Sequence, residues 1–183
     1  MRIVAGDWRG RPLVAPDGDV TRPTADRTRE TLFSMLTSRL GSFEELKVAD
    51  LFAGSGALGL EALSRGAAHC LFVEQDAAAI RAIRKNIANL RVSDRCDVRA
   101  SSVMALGPAK APMDLILLDP PYGSGAGSVA LDKLNRLGWI AKHTWISLET
   151  GHEESAAIKG FEIDVQRNVG KARLHLMRPI PAG

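Results

Sequence analysis

The chain is poor in cysteine: Cys70 and Cys96 are the only two among 183 residues. They form no Cys-x-x-Cys pair and stand at no zinc spacing from a histidine, which excludes a disulfide framework and offers no zinc site. Each falls in or beside an apolar, strand-like run, so both read as buried, inert thiols. Histidine is sparse as well. His69, His143, His152 and His175 have no paired spacing and take no role, and no metal is expected. No apolar run approaches the roughly 20 residues needed to cross a bilayer. The opening Met1-Arg2-Ile3-Val4-Ala5-Gly6 is too short and too soon polar for a secretory signal, so a cytoplasmic location without membrane contact is expected. Charge is not one-sided either. A net charge of +3 and a sequence pI near 9.1 are a mild basic excess that names no nucleic-acid partner by itself.

What is present is an ordinary globular composition, 45% hydrophobic and 25% charged, enough to bury a core without staples. Residues 1–15 read as a small hairpin, Arg2–Ala5 and Arg11–Val14 around a Gly6–Gly10 turn, and Pro16 to Pro23 as a loop. A helix follows with Ala25, Thr28, Leu32, Phe33, Leu36 and Leu40 on one face, capped by Thr24 and stopped by Gly41. Beyond it strands and helices alternate. Strands are expected at Lys47–Phe52, His69–Glu74, Asp94–Arg99, Met113–Leu118 and Thr144–Glu149. Helices are expected at Ala57–Arg65, after an Asp76 cap with the stripe Ile80, Ile83, Ile87, Leu90, and at Ser128–Leu137. Phe161–Arg167 and Arg173–Met177 close the chain as a hairpin. The alternation and the continuous apolar strands predict a mostly parallel, Rossmann-like α/β sheet covered on both faces, with an antiparallel hairpin at one edge. A single domain over 1–183 accounts for the chain, with 1–40 as an N-terminal extension and 47–183 as the core.

The first motif is Asp50-Leu51-Phe52-Ala53-Gly54-Ser55-Gly56-Ala57-Leu58-Gly59, a G-x-G-x-x-G between a predicted strand and helix. Glycines there let the backbone turn sharply and approach a ligand. Glu74, followed by Gln75, ends the next strand 20 residues after Gly54, where a carboxylate can accept from ribose hydroxyls. This signal identifies a nucleoside-type cofactor without choosing between NAD and S-adenosylmethionine. Asp50 tips the balance. A carboxylate beside a pyrophosphate is repelled, whereas S-adenosylmethionine carries a sulfonium and an ammonium and no phosphate.

The second motif, Asp119-Pro120-Pro121-Tyr122, follows the apolar run Leu115–Leu118, at the carboxyl end of a strand where open α/β sheets bind ligands. An exocyclic amine on a base is a poor nucleophile because its lone pair is delocalised into the ring. Asp119 can accept one N–H and the Pro120 carbonyl another, which aims the nitrogen at an electrophilic methyl. Consecutive prolines fix φ and remove donors. Tyr122 offers a flat face for a base taken out of its stack. The sulfonium brings the activated methyl, so positioning is the main demand on the protein.

On these residues the chain resembles the bacterial 16S rRNA (guanine-N2) methyltransferase family, small-subunit methyltransferase D. The resemblance also covers Arg2–Gly6 with Trp8-Arg9-Gly10-Arg11, and Arg22-Pro23-Thr24 through Asp26-Arg27 and Arg29-Glu30-Thr31-Leu32-Phe33. It implies a seven-stranded class I fold, S-adenosylmethionine as donor and S-adenosylhomocysteine as product. It implies 16S rRNA within a small ribosomal subunit as partner; the sequence does not fix the oligomeric state, and a monomer is the default expectation. Asp50, Phe52, Ala53, Gly54, Ser55, Gly56, Glu74 and Gln75 would face the cofactor, with Ser101 and Ser102 standing where such enzymes commonly present Asp or Asn to the adenine. Asp119 to Tyr122 would hold the guanine amine. RNA contacts are expected from Trp8, Arg9, Arg11, Arg22, Thr24 and Arg27, since an aromatic among arginines suits RNA. Arg81, Arg84 and Lys85 face away from the Ile stripe and read as a solvated face. The motif alone also allows a DNA adenine-N6 methyltransferase, though the chain has little room for a target-recognition region. An NAD-dependent oxidoreductase leaves Asp-Pro-Pro-Tyr unexplained, and a non-catalytic RNA-binding module is the third alternative.

Overall fold

The computed structural model describes residues 1–16 and 23–181. Seven strands form one sheet: β1 Lys47–Leu51, β2 His69–Glu74, β3 Cys96–Ala100, β4 Leu115–Leu118, β5 Trp145–Gly151, β6 Phe161–Val169 and β7 Ala172–Pro179. Their spatial order is β3-β2-β1-β4-β5-β7-β6. The first five run parallel, and β7 inserts antiparallel between β5 and β6. The Rossmann-like, mostly parallel sheet with its closing hairpin is therefore as expected from the sequence, down to the number of strands. The order reverses between β1 and β4, which opens a crevice at their carboxyl ends.

Helices α1 Pro23–Leu40, α2 Ala57–Ser64, α3 Ala77–Leu90 and α4 Ala126–Arg136 cover the sheet. Along β2 alternate residues enter opposite layers. Phe72 packs with Phe33, Leu60 and Ile83, while Leu71 and Val73 pack with Leu131, Leu134 and Trp139. All four residues of β4 are buried, each gaining roughly 1.5–3 kcal/mol from transfer out of water. Asp76 caps α3 as expected, its carboxylate accepting from the Ala79 N–H at 3.0 Å. Arg81, Arg84 and Lys85 are exposed on that helix, the solvated face read from the stripe.

Four local expectations need correction. α1 begins at Pro23, so Thr24 lies in its first turn and not at its cap, because proline's fixed φ suits the first helical position. Ala25 is exposed and Ile80 only half-buried, so the apolar stripes are narrower than their spacing suggests, and Met35 joins the core instead. The N-terminal hairpin forms but is short, with one bridge, Arg2 opposite Pro12, flanked by Ile3 N–H donating to the Arg11 carbonyl at 2.9 Å and Leu13 N–H to the Met1 carbonyl at 2.8 Å. The segment is also held by the protein body. Asp7 N–H donates to the Ser64 carbonyl at 2.8 Å and Trp8 N–H to Ser64 Oγ at 3.0 Å. α4 starts two residues earlier than expected, after Gly125 in the left-handed region.

Candidate functional site

Parallel register lines up the strand ends. Leu51 of β1 pairs with Val73 and with Leu118, and Leu118 pairs with Leu148. The next residue on each strand is then Phe52, Glu74, Asp119 and Glu149, one row along the carboxyl edge of the sheet. Two cavities open from this row. One, about 580 Å³, is lined by Glu74, Gln75, Asp119, Pro120, Pro121 and Tyr122 among others. The second, about 540 Å³, lies between the glycine turn with Ala53 and Ser55, the α1 residues Thr28, Arg29 and Leu32, and Lys171 in the β6–β7 turn. Phe52, Gly54, Asp119, Tyr122 and Glu149 line both cavities.

The glycine turn is tightly specified. Phe52 holds φ 59°, a left-handed conformation rare for a bulky residue and concentrated at functional sites. Gly54 has φ 58°, and a Cβ there would meet nothing within 4 Å, so its backbone is open to the cleft. Gly59 serves packing: a Cβ would lie 2.5 Å from Phe72 Cε1 and 2.6 Å from Cys70 Sγ. Two carboxylates brace the loop. Asp50 Oδ2 accepts from the Gly59 N–H at 2.9 Å, and Glu74 Oε1 accepts from the Gly54 N–H at 2.8 Å. Glu74 Oε2 also accepts from the N–H groups of Gln75 and Asp76, both at 2.9 Å. Burial pushes the Asp50 carboxyl up to about 8, against the Gly59 hydrogen bond and with added repulsion from Glu74. Its Oδ1 is buried without a hydrogen-bond partner among the described residues.

The Asp-Pro-Pro-Tyr loop forms the wall between the cavities. Asp119 opens to the cleft by surface area, yet its carboxyl lies deep among protein atoms. That desolvation, then the charge and hydrogen bond of Glu149 and the charge of Asp50, hold it well above the usual carboxylate range. Tyr122 is 48% exposed, and its hydroxyl donates to Glu149 Oε2 at 2.6 Å. Desolvation and this partner raise the phenol. Pro120 is buried, and the Pro121 carbonyl accepts from Ser124 Oγ at 2.7 Å, which fastens the loop.

Other residues singled out in the sequence fall elsewhere. Ser101 and Ser102 line neither cavity. Ser102 Oγ accepts from the Met104 N–H at 3.1 Å, and Ser101 Oγ donates to the Ser102 carbonyl. The Trp8 ring is half-buried with the Arg95 guanidinium 5.5 Å from its centre, so it is not the free stacking face that its neighbouring arginines suggest. Arg11 donates to the Asn89 carbonyl at 3.0 Å, while Arg9 and Arg27 are exposed. Arg22 lies outside the described residues.

Sequence reasoning missed Glu149, although it closes the expected strand Thr144–Glu149 as Glu74 closes His69–Glu74; that shared position was the available signal, and in the structure β5 runs on to Gly151. It also missed Glu61, fully buried on α2. Glu61 accepts from the Val4 and Ala5 N–H groups at 2.9 and 3.0 Å, from Arg29 Nε at 3.3 Å and from Arg65 Nε at 3.0 Å. Arg29 donates in addition to the Arg2 carbonyl and to Asp26. Asn86 bonds both the Val14 backbone and the Ser55 carbonyl. These buried polar groups clamp residues 1–14 and α1 beside the glycine turn.

Strand order, glycine turn and strand-end acids together define the class: the chain is a methyltransferase of class I, Rossmann-like architecture. The family model described as Conserved hypothetical protein 95 matches residues 1–178. The chain belongs to that family, the small-subunit methyltransferase D family. The ribosomal RNA small subunit methyltransferase D of Escherichia coli K12 is 39% identical over 150 residues, covering 82% of this chain and 74% of that protein. The enzyme of that name from Haemophilus influenzae is 37% identical over 154 residues, covering 82% and 78%. The solved structure of yhhF from Escherichia coli superposes with a TM-score of 0.85 at 35% identity, covering 98% of this chain and 97% of that one. The magnesium protoporphyrin IX methyltransferase of Synechocystis, solved with bound SAM, shares the fold at 15% identity, with a TM-score of 0.67 and coverage of 89% and 87%.

Proposed function

We propose that this protein transfers a methyl group from S-adenosylmethionine to the exocyclic 2-amino group of a guanine in 16S rRNA of the small ribosomal subunit. The observation that carries the reading is the position of the Asp119-Pro120-Pro121-Tyr122 loop, whose Asp119 and Tyr122 line both of the cavities that meet at the carboxyl edge of the sheet. The larger fits the methyl donor. Gly54 leaves its backbone open and Glu74 lies where a ribose would be held, while Asp50, which lines neither cavity, braces the loop from beneath. When bound, this donor supplies an electrophilic sulfonium methyl. The second cavity, under α1, takes the base. Asp119 and the Pro120 carbonyl accept the amine's N–H groups, and Tyr122 lies against the ring. Such acceptors gain strength in a site that excludes water. Names of the relatives support rRNA as the substrate class. In this reading the chain is one catalytic unit, with residues 1–40 forming the RNA-facing border and 47–183 the core. Exposed Arg9 and Arg27 are the RNA contacts that the geometry favours, ahead of Trp8 and Arg11.

The test is incubation with labelled methyl donor and unmodified small subunits, free 16S rRNA or duplex DNA. Label is expected on rRNA at a guanine N2, most strongly in the assembled subunit. Label on DNA alone overturns the proposal.

A further inference from the structure

The Asp-Pro-Pro-Tyr loop explains why an amine is methylated but not why it should be guanine's. Adenine N6 presents the same two N–H groups to Asp119 and to the Pro120 carbonyl. The bases differ at the neighbouring ring nitrogen. Guanine carries N1–H, a donor, beside its 2-amino group, whereas adenine carries a bare N1, an acceptor, beside its 6-amino group. A site that selects guanine needs a second acceptor next to the one holding the amine.

Glu149 stands at that place. The Leu118–Leu148 register sets it on the strand adjacent to Asp119, one residue beyond the paired leucines. It lines both cavities, so its carboxylate reaches the base side as well as the donor side. The Tyr122 hydroxyl, 2.6 Å from Oε2, fixes its orientation, and the charge of Glu149 is among the causes that hold the Asp119 carboxyl above the usual carboxylate range. A ligand that brings three N–H donors on one edge, two from the amine and one from the ring, supplies one each to Asp119, the Pro120 carbonyl and Glu149. Guanine's Watson–Crick edge has that pattern, and enzymes acting on an extruded base read this edge.

We infer that Glu149 is the residue that selects guanine, accepting the N1–H while Asp119 and the Pro120 carbonyl accept the two 2-amino hydrogens. This inference rests on the guanine-N2 reading above and adds the group that enforces it. An adenine in the same pose turns its N1 lone pair toward the Glu149 carboxylate. A site built around a hydrogen bond to one base rejects an analogue that leaves its buried acceptor unpaired.

The test uses small subunits assembled with 16S rRNA that carries either guanine or 2-aminopurine at the methylated position mapped with the wild-type enzyme. 2-Aminopurine keeps the 2-amino group and lacks only the N1–H and the 6-oxygen. Wild-type enzyme is expected to favour guanine by roughly 10- to 100-fold in kcat/KM, the range of one good bidentate contact. Glu149→Gln offers an N–H to a bare N1 in place of a carboxylate oxygen. It is expected to lose guanine activity by a similar factor and to abolish or reverse the preference. Equal wild-type rates on the two bases overturn the inference without any variant, as does a Glu149→Gln enzyme that loses both activities in equal proportion. Absence of guanine methylation by wild-type enzyme instead overturns the function reading itself.

Discussion

Asp50 places a carboxyl where almost no water reaches it, and the cost appears as a pKa raised from 3.8 to about 8 by burial. Its folded-state pKa lies above its unfolded one, so the fold keeps a proton that the unfolded chain releases. Stability contributed at this position is full below about pH 4, falls as pH rises toward about 8 and levels off beyond. The slope is bounded by about 1.4 kcal/mol per pH unit for one group. Asp50→Asn keeps an acceptor for the Gly59 N–H and removes the titration. In melts of the unliganded protein from pH 5 to 9, the variant should gain on wild type up to about pH 8. Parallel curves would show that the carboxyl is not held protonated.

At the scale of the element, the glycine turn separates two demands that the G-x-G-x-x-G spacing runs together. Gly59 is where α2 meets β2, and a methyl there collides with Phe72 and Cys70 in a close-packed layer. Gly54 has open space and a left-handed φ. Gly59→Ala is therefore expected to lower stability by roughly 1–3 kcal/mol, the usual cost of overpacking. Gly54→Ala should cost only about 1–2 kcal/mol of backbone strain but lose most of its cofactor affinity. Melting temperature and S-adenosylhomocysteine affinity, measured on both variants, check this. A Gly54→Ala protein that binds as wild type would place the donor elsewhere.

Across the whole molecule, Glu61 ties the N-terminal segment to the catalytic layer through two backbone amides and two arginines. Removing one partner of a buried pair strands the other, at a cost of roughly 3–5 kcal/mol. Glu61→Ala should destabilise the fold on that scale and speed amide exchange at Val4 and Ala5. Methyl transfer should fall further than cofactor affinity does, because α1 and Met1 border only the second cavity. Exchange at Val4 and Ala5 equal to wild type would show that the segment is held by other contacts. No helix among the described residues is long and apolar enough to cross a membrane.

Periodicity and strand-end motifs were legible in the chain itself because they are local. A continuous apolar strand such as Leu115–Leu118 has one environment that suits it, and Asp-Pro-Pro-Tyr has few uses outside a ligand-bearing strand end. Sequence alone therefore determined the doubly covered sheet, the glycine turn with its acids and the place of Asp-Pro-Pro-Tyr at a strand end. It could not reveal which distant groups meet. Glu149 lies 30 residues from Asp119, and only the β4–β5 register makes them neighbours. Glu61 and Asn86 look like ordinary helix-surface residues until the N-terminal segment folds over them and pairs its backbone with their polar atoms. Trp8, by its neighbours in sequence an RNA-stacking side chain, is claimed instead by Arg95. Tertiary structure decided these points because pairing in a sheet and satisfaction of buried polar groups are non-local, and no spacing along the chain encodes them.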